Sequence, residues 1–197
     1  MTRESLLAAL GPHFPVVASL IRAAAEEFES FNIPVERRPV LDGAPAGIAI
    51  YYLIWDHFER HFGCSGPIRV TETDGLKVLF FEDPGISIRV NKLDSLNLSS
   101  PLSRDARKLH NHPQLFLSFH DEPPGHLIFG YTKRLNEQGV AVLDRVLLTL
   151  ENENGVQWRT YIDDDQATAT PVEPLPSPPP PVVRPKALPG ESKKVVG

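Results

Sequence analysis

The sequence predicts an α+β domain. About three N-terminal helices should pack on one face of a mostly antiparallel sheet of about six strands, and a disordered proline-rich tail should follow. Three observations predict it. Up to Phe62 the apolar residues recur at helical spacings of three and four, and after Gly63 they alternate with period two. The alternating segments are short and separated by turn signals, as in meanders. From Gln166 onward the core-forming pattern stops and proline dominates. The expected units are therefore a domain over 1–165, helical in 1–62 and β-meander in 63–165, and a tail over 166–197.

Each element has its own signal. Residues 3–10 read as a short helix that Gly11-Pro12 should stop. Residues 14–31 read as a second, because Phe14, Val17, Ile21, Ala24, Phe28 and Phe31 make one apolar stripe. Pro34, Pro39, Gly43 and Pro45 mark an irregular connection, and 47–62 read as the third helix. The expected strands are 68–72, 76–81 and 86–90, with turns at Asp74-Gly75 and Asp83-Pro84-Gly85. A second meander follows over 126–132, 142–150 and 156–162, with Asn154-Gly155 the strongest hairpin signal in the chain. Gly130 inside a strand marks a bulge or a close backbone approach. Between the meanders, QLFLSF (114–119) reads as a strand or a buried extended segment.

Composition narrows the function classes. The chain has 197 residues, 41% of them hydrophobic, which is enough for one sizeable core. Its single cysteine, Cys64, rules out an intramolecular disulfide and fits a reducing cytoplasm. Net charge is −5. An acidic chain argues against non-specific nucleic-acid binding, which depends on neutralising phosphates. The N-terminus lacks the apolar run of a signal peptide, and no long uninterrupted apolar segment occurs, so no membrane span is expected.

The stretch IWDHFERHF (54–62) looks at first like a zinc helix. In a zinc-peptidase helix the glutamate directly follows the first histidine, where it can reach the metal-bound water. Here Glu59 lies about 160° around the helix from both His57 and His61. It cannot act on a metal that they hold. Ile50, Ile54, Phe58 and Phe62 form the apolar stripe of this helix. His61 falls within that stripe and His57 at its edge, so hydrogen-bonded structural histidines are expected.

The better metal candidate is HNHPQLFLSFHDEPPGH (110–126), with His110, His112, His120 and His126 as the ligands. A nucleic-acid contact could form from Arg37, Arg38, Arg89 and Lys92, with Arg69 and Lys77 nearby on the first meander. Restriction-type nuclease chemistry needs an acidic residue two before the lysine, and that position is Val90. Cys64 follows a helix C-terminus, which raises a thiol pKa rather than activating it. There is no nucleophile elbow, phosphate loop or dinucleotide fingerprint. Tyr131, Trp158 and Arg159 are candidate partner contacts.

Three segments carry a resemblance: ISIRVNKLD (86–94), HLIFGYT (126–132) and the hairpin ending VQWRTYI (156–162). Over about residues 47–162 the chain resembles bacterial proteins of prophages and other mobile elements, encoded beside Xre-type helix-turn-helix repressors and ImmA-type peptidases. Members often carry two lysines where this chain has Asn91-Lys92. The resemblance implies a regulatory role near a repressor and assigns no catalytic residue.

The expectation is a non-enzymatic cytoplasmic interaction protein with a protein partner, the neighbouring helix-turn-helix repressor being the specific candidate. No cofactor and no membrane are expected. The alternatives are a metal-dependent enzyme acting on nucleic acid and a DNA-binding regulator.

Overall fold

A computed structural model describes residues 1–31, 44–73, 76–94, 125–135, 137, 141–152 and 155–162. The proline-rich segment 166–197, QLFLSF and the connection 32–43 lie outside the described residues.

Helix α1 (Arg3–Leu10) starts at Thr2, whose hydroxyl accepts the Ser5 N–H at 3.2 Å while the Ser5 hydroxyl accepts the Thr2 N–H at 3.1 Å. This reciprocal pairing satisfies two of the donors that a helix start leaves over. The expected stop at Gly11-Pro12 does not occur. Gly11 keeps a right-handed helical conformation, and Pro12 sits in the first turn of a 3-10 segment, Gly11–His13, that leads straight into α2 (Phe14–Ser30). Proline is tolerated there because the first-turn N–H groups have no intrahelical partner. Arg3–Ser30 is therefore one helical run. Together with α3 (Ala44–Phe62) it makes two helical rods rather than three. Phe31, the expected end of the α2 stripe, is instead the extended cap residue and 45% exposed.

The run Arg3–Ser30 is long and apolar enough to cross a membrane by length and composition alone. Its apolar side, however, is occupied. Leu6, Leu10, Phe14, Val17, Ile21 and Ala24 are buried in the same core as the sheet residues.

The six strands are β1 (Ile68–Thr73), β2 (Leu76–Phe81), β3 (Ile86–Lys92), β4 (His126–Leu135), β5 (Ala141–Asn152) and β6 (Gly155–Tyr161). They lie in the sheet in chain order. Every neighbouring pair is antiparallel except β3–β4, which is parallel with Arg89 opposite Ile128 and Lys92 opposite Tyr131. Parallel neighbours cannot be joined by a tight turn. This explains why a long segment separates the two meanders. The last hairpin pairs Asn152 with Gly155, which takes φ 112°, a conformation glycine adopts readily.

Alternation sorts the strands into two faces. Leu79, Phe81, Ile86, Ile88, Val90, Leu127, Phe129, Tyr131, Leu148, Leu150 and Trp158 join the helices in the main core. Trp55, Phe58, Phe81 and Phe129 are fully buried there, each stabilising the fold by roughly 1.5–3 kcal/mol through apolar burial. The helix-distal face carries Arg89, Ile128, Gly130, Leu147, Thr149 and Arg159. Gly130 leaves no room for a side chain unless Leu93 moves. A Cβ there would lie 2.2 Å from the buried Leu93 Cδ1, so the close approach expected of a strand glycine is real.

Candidate functional site

The helix-distal face holds two neighbouring features. The first is a buried polar patch. Arg89, His126, Thr149 and Glu151 are 6%, 1%, 0% and 1% exposed. Register explains how they meet. His126 lies directly opposite Glu151, and Ile128 lies between Arg89 on one side and Thr149 on the other. The Thr149 hydroxyl donates to Glu151 Oε1 at 3.3 Å, with a longer approach to the Ile128 carbonyl at 3.5 Å. Burial lowers the Arg89 pKa from the ordinary arginine value, while Tyr51 and Glu151 favour its charged form. Arg89 Nη1 is buried without a hydrogen-bond acceptor among the described residues. Such a donor costs about 1–3 kcal/mol if left dry.

The second feature is open. A cleft of about 440 Å³ lies where β3, β4 and β6 end and β5 begins, lined by Lys92, Leu93, Asp94, Thr132, Lys133, Asp144, Arg145, Leu147 and Tyr161. Its floor is apolar, since Leu93 and Leu147 form a small buried cluster with Ile128. Arg145, Lys92, Asp94 and Asp144 stand around it, whereas the Lys133 ammonium turns to the helix side and lies 5.9 Å over the Phe28 ring of α2. Arg145 stacks over the Tyr161 ring at 5.4 Å, and Tyr161 itself is 40% exposed. Arg134 pairs with Asp144 at 3.2 Å. An apolar floor with a charged rim and an aromatic-arginine pair is the anatomy of a recognition surface.

The candidates from sequence fall into place around these features. His57 pairs with a carboxylate. Its Nε2 meets Glu27 Oε2 at 2.8 Å and ties α3 to α2. Glu59, on the other side of the helix, holds Lys77 of β2. His61 is exposed rather than part of the stripe, because Trp55 fills the core side of α3.

Of the four histidines in the 110–126 cluster, only His126 is described, buried on β4; His110, His112 and His120 lie outside the described residues. Among the described residues no group of three or more His, Cys, Asp or Glu side chains could hold a metal ion. Arg37 and Arg38 are likewise outside. Arg89 and Lys92 are not brought onto one exposed surface, since the first is buried and the second lines the cleft. Arg69 stacks on Phe80 at 4.3 Å, and Lys77 faces α3.

Tyr131 and Trp158 are 1% and 2% exposed, so as partner contacts they are corrected to core residues. Even-numbered Trp158 follows the core side of β6, and Tyr131 follows Phe129 two residues on. Arg159 stays half-buried on the helix-distal face. Sequence reasoning missed Lys133, Asp144, Arg145 and Tyr161. A signal existed for two of them, the charged pair Asp144-Arg145 interrupting the apolar run VLDRVLLTL.

No family model, no curated protein and no solved structure matches the chain.

Proposed function

We propose that the protein is a non-catalytic regulatory binding module that takes up a segment of a partner polypeptide in the helix-distal cleft. The observation that carries this reading is the cleft itself. Lys92, Arg145, Asp94 and Asp144 line it together with the Leu93 and Leu147 floor and Tyr161. Mixed charge over an apolar floor suits a peptide with both apolar anchors and charged side chains. The resemblance to mobile-element proteins makes a cytoplasmic helix-turn-helix repressor the first partner to look for. A duplex is a poorer fit, because Asp94 and Asp144 would repel the phosphates that Lys92 and Arg145 attract.

The test uses the full chain, tagged at its C-terminal end and expressed at native level in its own host, beside the Arg145→Glu variant. Proteins recovered after nuclease treatment are identified by mass spectrometry. A partner recovered in equal amount with the wild type and lost with Arg145→Glu is the expected result. Equal recovery by both forms overturns the cleft as the site. A salt-sensitive gel shift of promoter DNA, lost in the same variant, replaces the reading with DNA binding.

A further inference from the structure

We infer that the free edge of β6 is a strand-addition site for an extended polypeptide segment carrying acidic side chains. The inference rests on the binding reading above and names the chemistry of the partner.

The backbone comes first. The Ile162 N–H donates to the Val146 carbonyl at 3.0 Å. Hydrogen-bonded and non-hydrogen-bonded pairs alternate along an antiparallel ladder. Thr160 opposite Leu148 and Trp158 opposite Leu150 are therefore bonded pairs, whereas Arg159 opposite Thr149 and Tyr161 opposite Leu147 are not. Arg159 and Tyr161 turn their N–H and C=O groups outward. No strand follows β6 in the sheet order, and these groups have no acceptor or donor among the described residues.

The opposite edge is treated differently. At β1 the Val70 N–H is taken by the Gly63 carbonyl at 2.9 Å. The register shift between Leu150 and Glu151, with the Gln157 side chain bonded to Asn152 and to the Gly155 carbonyl, ends the regular edge at its other end. The open stretch is thus short and has a defined register.

Charge then selects the occupant. Arg159 lies on the edge strand itself. Arg145 covers Tyr161 on the helix-distal face, and Arg3 of α1 covers Trp158 at 5.1 Å on the helix face. Three guanidiniums surround this one edge in a chain of net charge −5. The acidic groups next to them in sequence are Glu4 on α1, Asp144, which is paired with Arg134, and Asp163, Asp164 and Asp165 just after β6. A second copy is disfavoured as the occupant. Two β6 strands paired antiparallel about Arg159 would set arginine against arginine, and like charges directly opposite are destabilising. An incoming strand with glutamate or aspartate on alternate positions would instead present all of them on one face, where they would meet Arg159 and Arg145. Its main chain would supply affinity and its carboxylates specificity.

The probe is a short peptide alternating valine and glutamate, titrated into the 15N-labelled full chain. A second form with Asp163, Asp164 and Asp165 changed to Asn keeps the aspartates that follow β6 in sequence from competing. The expected result is saturable movement of the Arg159 and Tyr161 amides and slowed exchange of their N–H groups. The lysine counterpart of the peptide should not bind. The same valine-glutamate peptide N-methylated at alternate residues should lose binding. Arg159→Glu should weaken it about tenfold and favour the lysine peptide instead.

Movement confined to Lys92, Lys133 and Arg145, with the edge amides still, overturns strand addition while leaving the cleft reading intact. Binding unaffected by N-methylation, or no binding by either form, also overturns it. Concentration-dependent dimerisation that protects Arg159 and Tyr161 makes a second copy the occupant and overturns the acidic-partner assignment.

Discussion

The two faces of the sheet are both buried, one by apolar side chains throughout and the other by a small apolar cluster beside buried polar groups. Towards the helices, every strand from β2 to β6 contributes apolar or aromatic side chains to one continuous core, with Phe14, Phe81 and Phe129 in edge and tilted ring contacts at 5.8–6.5 Å of neighbouring rings. Away from the helices, the same strands bury Arg89, His126, Thr149 and Glu151, then open into the charged cleft. Apolar burial needs no partner geometry and stabilises wherever it occurs. A buried charge stabilises little and needs specific partners. The helix side thus holds the fold together, and the distal side carries the buried polar groups and the cleft on which the proposed function rests.

The difference should be largest in stability. Phe129→Ala and Phe58→Ala, on the helix side, should each lose about 3–5 kcal/mol in urea unfolding. A loss below about 1 kcal/mol would show that the helix-side core is not what holds the sheet. On the distal face, Gly130→Ala should cost about 1–3 kcal/mol, because the buried Leu93 side chain must shift to admit the methyl group.

Next in size is Tyr131→Phe. The Tyr131 hydroxyl is buried without a hydrogen-bond partner among the described residues, so its removal should be neutral or gain up to about 1 kcal/mol. The substitution also has a pH signature. Burial raises the pKa of both Tyr131 and Tyr51 above 10.0. The native state keeps these protons while the unfolded chain releases them near the ordinary tyrosine value. Stability should therefore be whole below about pH 10 and fall as pH rises beyond it. Tyr131→Phe should make that alkaline decline shallower, as followed by chemical unfolding at successive pH values. His57→Gln, which breaks a half-exposed pair with Glu27, should cost under about 1 kcal/mol.

The smallest stability effect belongs to the cleft. Lys92→Ala and Arg145→Ala should stay within about 0.5 kcal/mol of wild type while weakening partner capture. A large stability loss from either would make these residues part of the scaffold instead of the recognition surface.

Much of this fold was legible in the sequence because its signals are local. Period-two runs placed all six strands to within a few residues, and the 50, 54, 58 spacing placed the buried side of α3. What was not legible depended on neighbours. Gly11-Pro12 reads as a stop, yet Pro12 begins a new turn and the rod continues. The parallel β3–β4 pairing leaves no mark on either strand. Tyr131 and Trp158 read equally well as surface or core until register fixes their face. The cleft joins Lys92 to Arg145 and Tyr161 across three strands, and no spacing along the chain encodes that meeting. The histidines at 110, 112 and 120 stay an expectation of sequence alone.

The most direct test of the division between faces is amide hydrogen exchange of the full chain, with and without the partner recovered from its host. The account predicts protection at β6 and at residues 92–94 and 144–147, with α2 and α3 unchanged. Protection on the outer side of α3, where Ile48 and Tyr52 are 50% and 65% exposed, with β6 and the cleft unaffected, would contradict it.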